Sequence, residues 1–273
     1  EVPLIMGGHE HDLHYDSVGS VHIAKADANA KTAWVHRFEV SKRPRLSHRL
    51  RSEVVAIDGD RPEDSAVAAL VERWLRIQNA EIGKIGVDPA AVIYHAAEPL
   101  DGREKSIRNE QTNLGRLIAE AMYAAAAQPV DGALYNSGSV RIDDQLVGDL
   151  TAVDVFRALP FGGGLVEVTL EGSLLKKLLD QGQENKGKGG YLQWYRIRPT
   201  PNGWLIGDQP LDPRKSYRIV TTDFLLTGLE SGMGFFTPEN PGIHHIDRPN
   251  SPDDPRSDIR KAVIEWMKGV GGE

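Results

Sequence analysis

Residues 106–122 read S-I-R-N-E-Q-T-N-L-G-R-L-I-A-E-A-M. Past an alanine-rich run, residues 131–141 read D-G-A-L-Y-N-S-G-S-V-R. The first half predicts a helix. Gln111, Thr112 and Asn113 offer side-chain caps, and Leu114, Leu117, Ile118, Ala121 and Met122 recur at helical spacing on one face. The second half predicts a short apolar strand, Ala133-Leu134-Tyr135, that runs into Asn136-Ser137-Gly138-Ser139 with Arg141 just beyond. Small residues there let backbone approach another group closely. A polar Asn and an Arg around a small-residue turn after a buried strand suit recognition of an anion or a polar ligand. An ordinary strand-turn with a surface Arg fits the same letters, and the stretch alone leaves both open.

The chain of 273 residues is 40% apolar and 26% charged, the balance of a globular protein with a sizeable core. A net charge of −7 argues against a general nucleic-acid binder. No apolar run approaches the roughly 20 residues that span a bilayer. With no cysteine, disulfides, thiolate metal sites and cysteine nucleophiles are excluded, while the compartment stays undecided. Residues 1–6, E-V-P-L-I-M, predict a buried strand without an initiator Met, and the chain is expected to be an excised fragment.

Directly after that strand stands Gly7-Gly8-His9-Glu10-His11-Asp12-Leu13-His14. Histidines at i and i+2 on a Gly-Gly loop can face one metal centre, and this reading is preferred to a merely polar turn. Residues 20–57 alternate apolar and polar, which predicts antiparallel strands and hairpins. Arg43, Arg45, Arg49 and Arg51 form a basic patch there, read as a solvated face without function. Pro62, the acids Glu63 and Asp64, and the stripe Val67, Leu70, Val71, Trp74, Leu75 and Ile77 predict a connecting helix over 62–82. Its apolar face is assigned to packing.

A strand from Val92 leads through a polar turn, residues 98–105, into the central stretch. Beyond Arg141, residues 148–151 read as a turn and 152–158 as a short helix capped by Thr151. In Leu159-Pro160-Phe161-Gly162-Gly163-Gly164, the Phe is either a plug of the core or a stacking platform for a ring. Helices are predicted over 172–181 and 259–268, and strands over 165–170, 191–197, 204–206 and 217–222. Residues 184–190 form a flexible loop that lacks a phosphate-loop Gly-Lys-Ser/Thr. Residues 237–258, rich in Pro and Asp, read as irregular.

Four motifs fall in one order: R-x-x-x-T-N-L-G from Arg108, N-x-G-x-x-R from Asn136, L-P-F-G-G from Leu159 and T-x-D-F-L-x-x-G from Thr221. With that order the chain resembles the 5′-nucleotidase family of binuclear metallophosphoesterases over about residues 91–236. The resemblance implies a mixed α/β fold of layered sheets and helices in three parts. Residues 1–60 would be a remnant of the metallophosphoesterase domain, 61–90 a linker helix, and 91–273 the C-terminal substrate-binding domain. It further implies a nucleoside base held between Phe161 and Phe224, and phosphate and polar groups held by Arg108 and Arg141 with Asn136 beside them. Planar guanidinium groups and aromatic faces suit such a ligand. The family's acidic residue of the last loop stands as Glu230 with Leu229 before it, and Glu120 replaces an Asp after Asn-Leu-Gly.

The same resemblance makes His9 and His11 ligands of two divalent ions (manganese, zinc or similar) that activate water for attack on phosphorus. The Asp-x-His, bridging Asp and Asn-His-Glu/Asp motifs of that centre are not in this sequence. The chain is therefore expected to hold no catalytic residue, to bind no metal stably and to be silent alone. In the full-length protein the activity implied is hydrolysis of nucleoside phosphates. A cyclic-nucleotide phosphodiesterase, a nucleotide-sugar hydrolase, a thiosulfohydrolase-like enzyme and a noncatalytic ligand-binding module are the alternatives. The expected partner is a nucleotide or another phosphate ester, not a nucleic acid polymer or a membrane. Kinship suggests a periplasmic or extracellular setting.

Overall fold

The computed structural model describes residues 2–42, 44, 47–60, 62–83 and 86–270. Arg43 and Arg45, half of the basic patch, lie outside the described residues. The chain divides into two compact units, Glu1–Leu75 and Arg76–Glu273.

In the first unit, strands β1 (Leu4–Gly7) and β2 (His14–Val18) flank β3 (Val21–Lys25), β1 parallel to it and β2 antiparallel. Strands β4 (Thr32–Ser41) and β5 (Ser47–Ala56) form a ten-residue antiparallel hairpin, as the alternating pattern predicts. Trp34 on β4 donates its indole N–H to the Lys25 carbonyl at 2.8 Å and packs 5.0 Å from the Tyr15 ring, tying hairpin to sheet. β1 is not the buried strand expected: Met6 is 76% exposed and Ile5 is exposed as well. Helix α1 (Ser65–Gly83), whose residues from Arg76 on are assigned to the second unit, starts three residues after Pro62, and Asp64 accepts from the backbone N–H of Ala66 and Val67. Its apolar stripe, assigned to packing by the sequence, is exposed at all six positions, while Ile82 near its end is buried.

The second unit is built around a five-stranded mixed sheet. Strand β6 (Val92–Asp101) leads to α2 (Glu104–Ile107), α3 (Asn113–Ala124) and β7 (Gly132–Asn136). Then follow β8 (Gln145–Thr151), α4 (Ala152–Ala158), β9 (Leu165–Glu171) and α5 (Gly172–Glu184). The chain closes with β10 (Leu192–Tyr195), β11 (Ile197–Thr200), β12 (Gly203–Ile206), β13 (Gln209–Pro210), β14 (Ser216–Thr222), β15 (Ile243–Asp247) and α6 (Ile259–Val270). The sheet order is β10-β7-β14-β9-β15, with β7 and β14 parallel and every other pair antiparallel. Both faces are covered, so side chains alternate between two cores, as period-2 geometry requires. Ala133, Tyr135, Leu165 and Val220 join α3, α4 and α6 in one core. Leu134, Val166, Val168 and Ile219 join the leucines of α5 in the other.

Local chemistry sets the ends. Thr112 caps α3, its hydroxyl accepting from Gly115 N–H at 3.0 Å, and Thr151 stands at the N-cap of α4. Three further expectations fail. Residues 148–151 are not a turn but the end of β8, paired with β6 through a register shift that accommodates Gly148 at φ 67°. The polar turn over 98–105 is instead the end of β6 followed by α2. The Pro- and Asp-rich tail carries β15, an edge strand on β9. Among the described residues no helix is long and apolar enough to cross a membrane.

Candidate functional site

The end of β7 and the turns after α4 and β14 converge on a cavity of about 560 Å³ lined by Asn136, Arg141, Phe161, Asp223, Phe224 and Glu230. These belong to three of the four sequence motifs and to the last loop. A second cavity of about 660 Å³ is larger, but it is lined by Arg116, Tyr195, Arg196 and Arg198 and holds none of the motif side chains named above. Convergence of chemistry, not size, selects the smaller one.

Asn136 sits where the buried strand β7 ends. Its amide N–H donates to Glu230 Oε2 at 2.9 Å, while Ser139 Oγ donates to its carbonyl oxygen at 2.9 Å. Glu230 Oε1 accepts from the backbone N–H of Ser231 at 2.8 Å. The carboxylate is thereby oriented at the cavity, where it acts as an acceptor only. Arg141 N–H donates to the Ala158 carbonyl at 2.9 Å, which pins the arginine beside the Leu159–Phe161 turn. Its guanidinium carbon lies 5.9 Å from the Phe161 ring centroid, a cation–π distance. Phe161 is 72% exposed and Phe224 44% exposed, so neither is a core plug. Two rings and a guanidinium around an open space offer stacking for a planar group and donors for an anion.

The residues that the sequence groups as substrate-binding are not all brought together. Arg108 does not line this cavity. It caps the end of α2, pairs with Glu104 at 2.5 Å and accepts Gly187 N–H at its carbonyl. Gly115 of the same motif has a packing role: a Cβ there would lie 2.0 Å from Gln193 Oε1. Buried Gln193 donates in turn to the carbonyls of Ile107 and Glu110. The Tyr135 hydroxyl, whose pKa burial pushes far up, donates to the Gly115 carbonyl at 3.4 Å. Sequence reading missed Asn185. Its buried amide donates to the carbonyls of Ser231 and Gly190, fixing the loop that carries Glu230. A lone Asn in a glycine-rich loop gives no pattern by which to find it.

His9 and His11 stand on the turn after β1, with His11 at φ 60° and its N–H on the Gly8 carbonyl at 3.4 Å. Among the described residues no group of three or more His, Cys, Asp or Glu side chains is gathered to hold a metal. His9 and His11 supply two exposed imidazoles of the larger ligand set that the resemblance implies.

Comparison with known proteins agrees with the motif order. A family model described as the 5′-nucleotidase, C-terminal domain, matches residues 92–237. The chain is 35% identical over 135 residues to Protein UshA of Yersinia enterocolitica, covering 47% of this chain and 24% of that protein. It is 26% identical over 222 residues to the 5′-nucleotidase of Bos taurus, covering 70% and 37%. The chain thus spans well under half the length of these curated relatives. Among solved structures, a 5′-nucleotidase precursor from Thermus thermophilus superposes with a TM-score of 0.69 at 21% identity, covering 99% of this chain and 57% of the other. The sulfate thiohydrolase SoxB of Thermus thermophilus superposes with a TM-score of 0.61 at 18% identity, covering 98% and 48%. At such identities the likeness is one of fold.

Proposed function

The chain belongs to the 5′-nucleotidase, C-terminal domain, family, and from that premise we propose that it is the substrate-binding part of a metal-dependent phosphohydrolase acting on nucleoside phosphates. One observation carries the reading: Asn136, Arg141, Phe161, Phe224 and Glu230, spread over some ninety positions, line one cavity. In this reading the two rings hold the base and Glu230 accepts from donors of the sugar or base. Arg141 takes phosphate oxygens, and Arg108 is free to do so only after leaving Glu104. In this reading His9 and His11 would be two of the ligands of the water-activating metals in the full-length protein, and no step is assigned to them in this chain. The same reading puts the protein in a periplasmic or extracellular setting.

Calorimetric titration with adenosine, AMP and inorganic phosphate, without metal, tests the pocket. Adenosine and AMP are expected to bind. Phe161→Ala with Phe224→Ala is expected to abolish both, because a base stack contributes about 1–3 kcal/mol. Arg141→Ala is expected to weaken AMP by about 1.5–3 kcal/mol, the value of hydrogen bonds to a charged group, and adenosine by no more than the about 0.5–1 kcal/mol of a cation over an exposed ring. Adenosine binding that survives loss of both rings would sink the base sandwich. Phosphate binding without nucleoside binding would move the reading toward a different ester or thioester substrate.

A further inference from the structure

Phe161 and Phe224 stand on separate loops, 63 positions apart by their numbers, and neither ring is held by the core. We infer that Asp223 is the positioning residue of this site, a staple that fixes the Phe161 turn against the Phe224 turn so that both rings face one cavity. The inference rests on the nucleoside reading for its ligand, but not for its geometry.

The contacts are reciprocal. Gly164 N–H donates to Asp223 Oδ2 at 3.0 Å, and Asp223 N–H donates back to the Gly164 carbonyl at 2.9 Å. The two loops are thus joined at the residue before Phe224 and three residues after Phe161. Close approach is built in. Gly163 has φ 101°, a conformation that glycine favours, and a Cβ there would lie 3.0 Å from Asp223 Oδ1. On the other side, Ile259 N–H donates to the Gly163 carbonyl at 2.9 Å, and a Cβ on Gly162 would collide with the Arg260 guanidinium at 2.5 Å. The glycine-rich turn is therefore clamped between Asp223 and the start of α6, which leaves Phe161 as its exposed tip. Without the clamp, three consecutive glycines would let the ring wander, and ordering it on binding would cost affinity. The Phe224 side is fixed by its own neighbours. Thr222 Oγ1 accepts Leu225 N–H at 3.2 Å, and Thr227 Oγ1 donates to the Phe224 carbonyl at 2.6 Å. What the staple adds is the relation between the two turns.

Asp223→Ala and Asp223→Asn are compared with the unmodified chain by amide hydrogen exchange and by titration with adenosine and with inorganic phosphate. Asp223→Ala is expected to speed exchange at Gly164 and Ile259 while amides of β9 keep their protection. It is expected to weaken adenosine roughly tenfold, the effect of losing one base stack, and to leave phosphate unchanged. Asp223→Asn keeps an acceptor for Gly164 N–H and is expected to restore both readouts. It also keeps the inference testable should the alanine variant fail to fold. Unchanged exchange at Gly164 and Ile259, or faster exchange with undiminished adenosine affinity, would overturn the staple. Equal losses of adenosine and phosphate would overturn it too, since they would mark a general structural defect. If the unmodified chain binds no adenosine, the nucleoside reading falls, and exchange alone decides whether the turns are joined.

Discussion

Helices α1 and α3 carry the same kind of pattern and end in opposite surroundings. Leu114, Leu117, Ile118, Ala121 and Met122 of α3 are buried between the central sheet and α6. Val67, Leu70, Val71, Trp74 and Leu75 of α1 have the same spacing and are all exposed. Periodicity states which face of a helix is apolar. It does not state whether another part of the chain covers that face, because the covering residues lie elsewhere in sequence.

Charge obeys the same contrast and gives the largest expected effect. On β9, Glu167 is fully buried, with Arg218 at 2.6 Å, Arg256 at 2.8 Å and the Ala127 N–H at 2.7 Å. Arg256 also holds Asp247 on β15 and Asp254, so it ties the edge strand and the tail to the sheet. Arg256→Ala is expected to cost about 3–5 kcal/mol in urea unfolding, because it leaves buried carboxylate partly unpaired. Arg37→Ala, on the exposed β4–β5 hairpin where Arg37 meets Glu53 at 2.6 Å, is expected to cost about 0.2–1 kcal/mol. The hydrogen bond from Arg256 holds the Asp254 carboxyl below its ordinary range. A carboxyl whose folded pKa is depressed adds stability above the unfolded value and loses it as pH falls through the folded one. Arg256→Ala should therefore flatten the acid limb of the stability curve below about pH 4. Equal costs at the two arginines would break the contrast.

The helices themselves come next. Ile118→Ala is expected to lower stability by about 2–5 kcal/mol, since it opens a cavity in a packed core. Trp74→Ala is expected to stay within about 0.5 kcal/mol. The check is the same urea series. A large cost at Trp74 would mean that its face is covered in solution.

Residues whose partners lie close in sequence are the legible ones. Thr112 and Thr151 announce helix starts because a cap acts within three residues, and the sequence places α3, α4, α5 and α6 within a few residues of their ends. β8 escapes because Gly148 and Asp149 read as a turn, whereas pairing with β6 decides. β15 escapes because an edge strand needs only one partner and tolerates a polar, proline-rich neighbourhood. In the cavity, the order of the motifs points to Asn136, Arg141, Phe161, Phe224 and Glu230. Asp223 lies inside a quoted motif without a role, since its partner Gly164 is 59 positions away. Arg108 shows the converse: a motif position whose guanidinium is engaged by Glu104, one turn earlier in the chain.

The last contrast separates two exposed aromatic side chains. Phe161 is 72% exposed and Trp74 is 62% exposed, so accessibility alone does not distinguish a binding ring from an uncovered one. Phe161 differs in its setting: the Arg141 guanidinium lies 5.9 Å from its centroid, and the turn beneath it is held from two sides. A cation over an exposed ring contributes about 0.5–1 kcal/mol. AMP affinity measured for Arg141→Ala, Phe161→Ala and the double variant is expected to show a coupling of that size. Such a coupling would mean that base and phosphate recognition share one preorganised contact. Effects that add within about 0.3–0.5 kcal/mol would make the two groups independent neighbours in one cavity. The distinction between Phe161 and Trp74 would then rest on the cavity and the held turn alone, since both would be aromatic rings exposed without an energetically coupled partner.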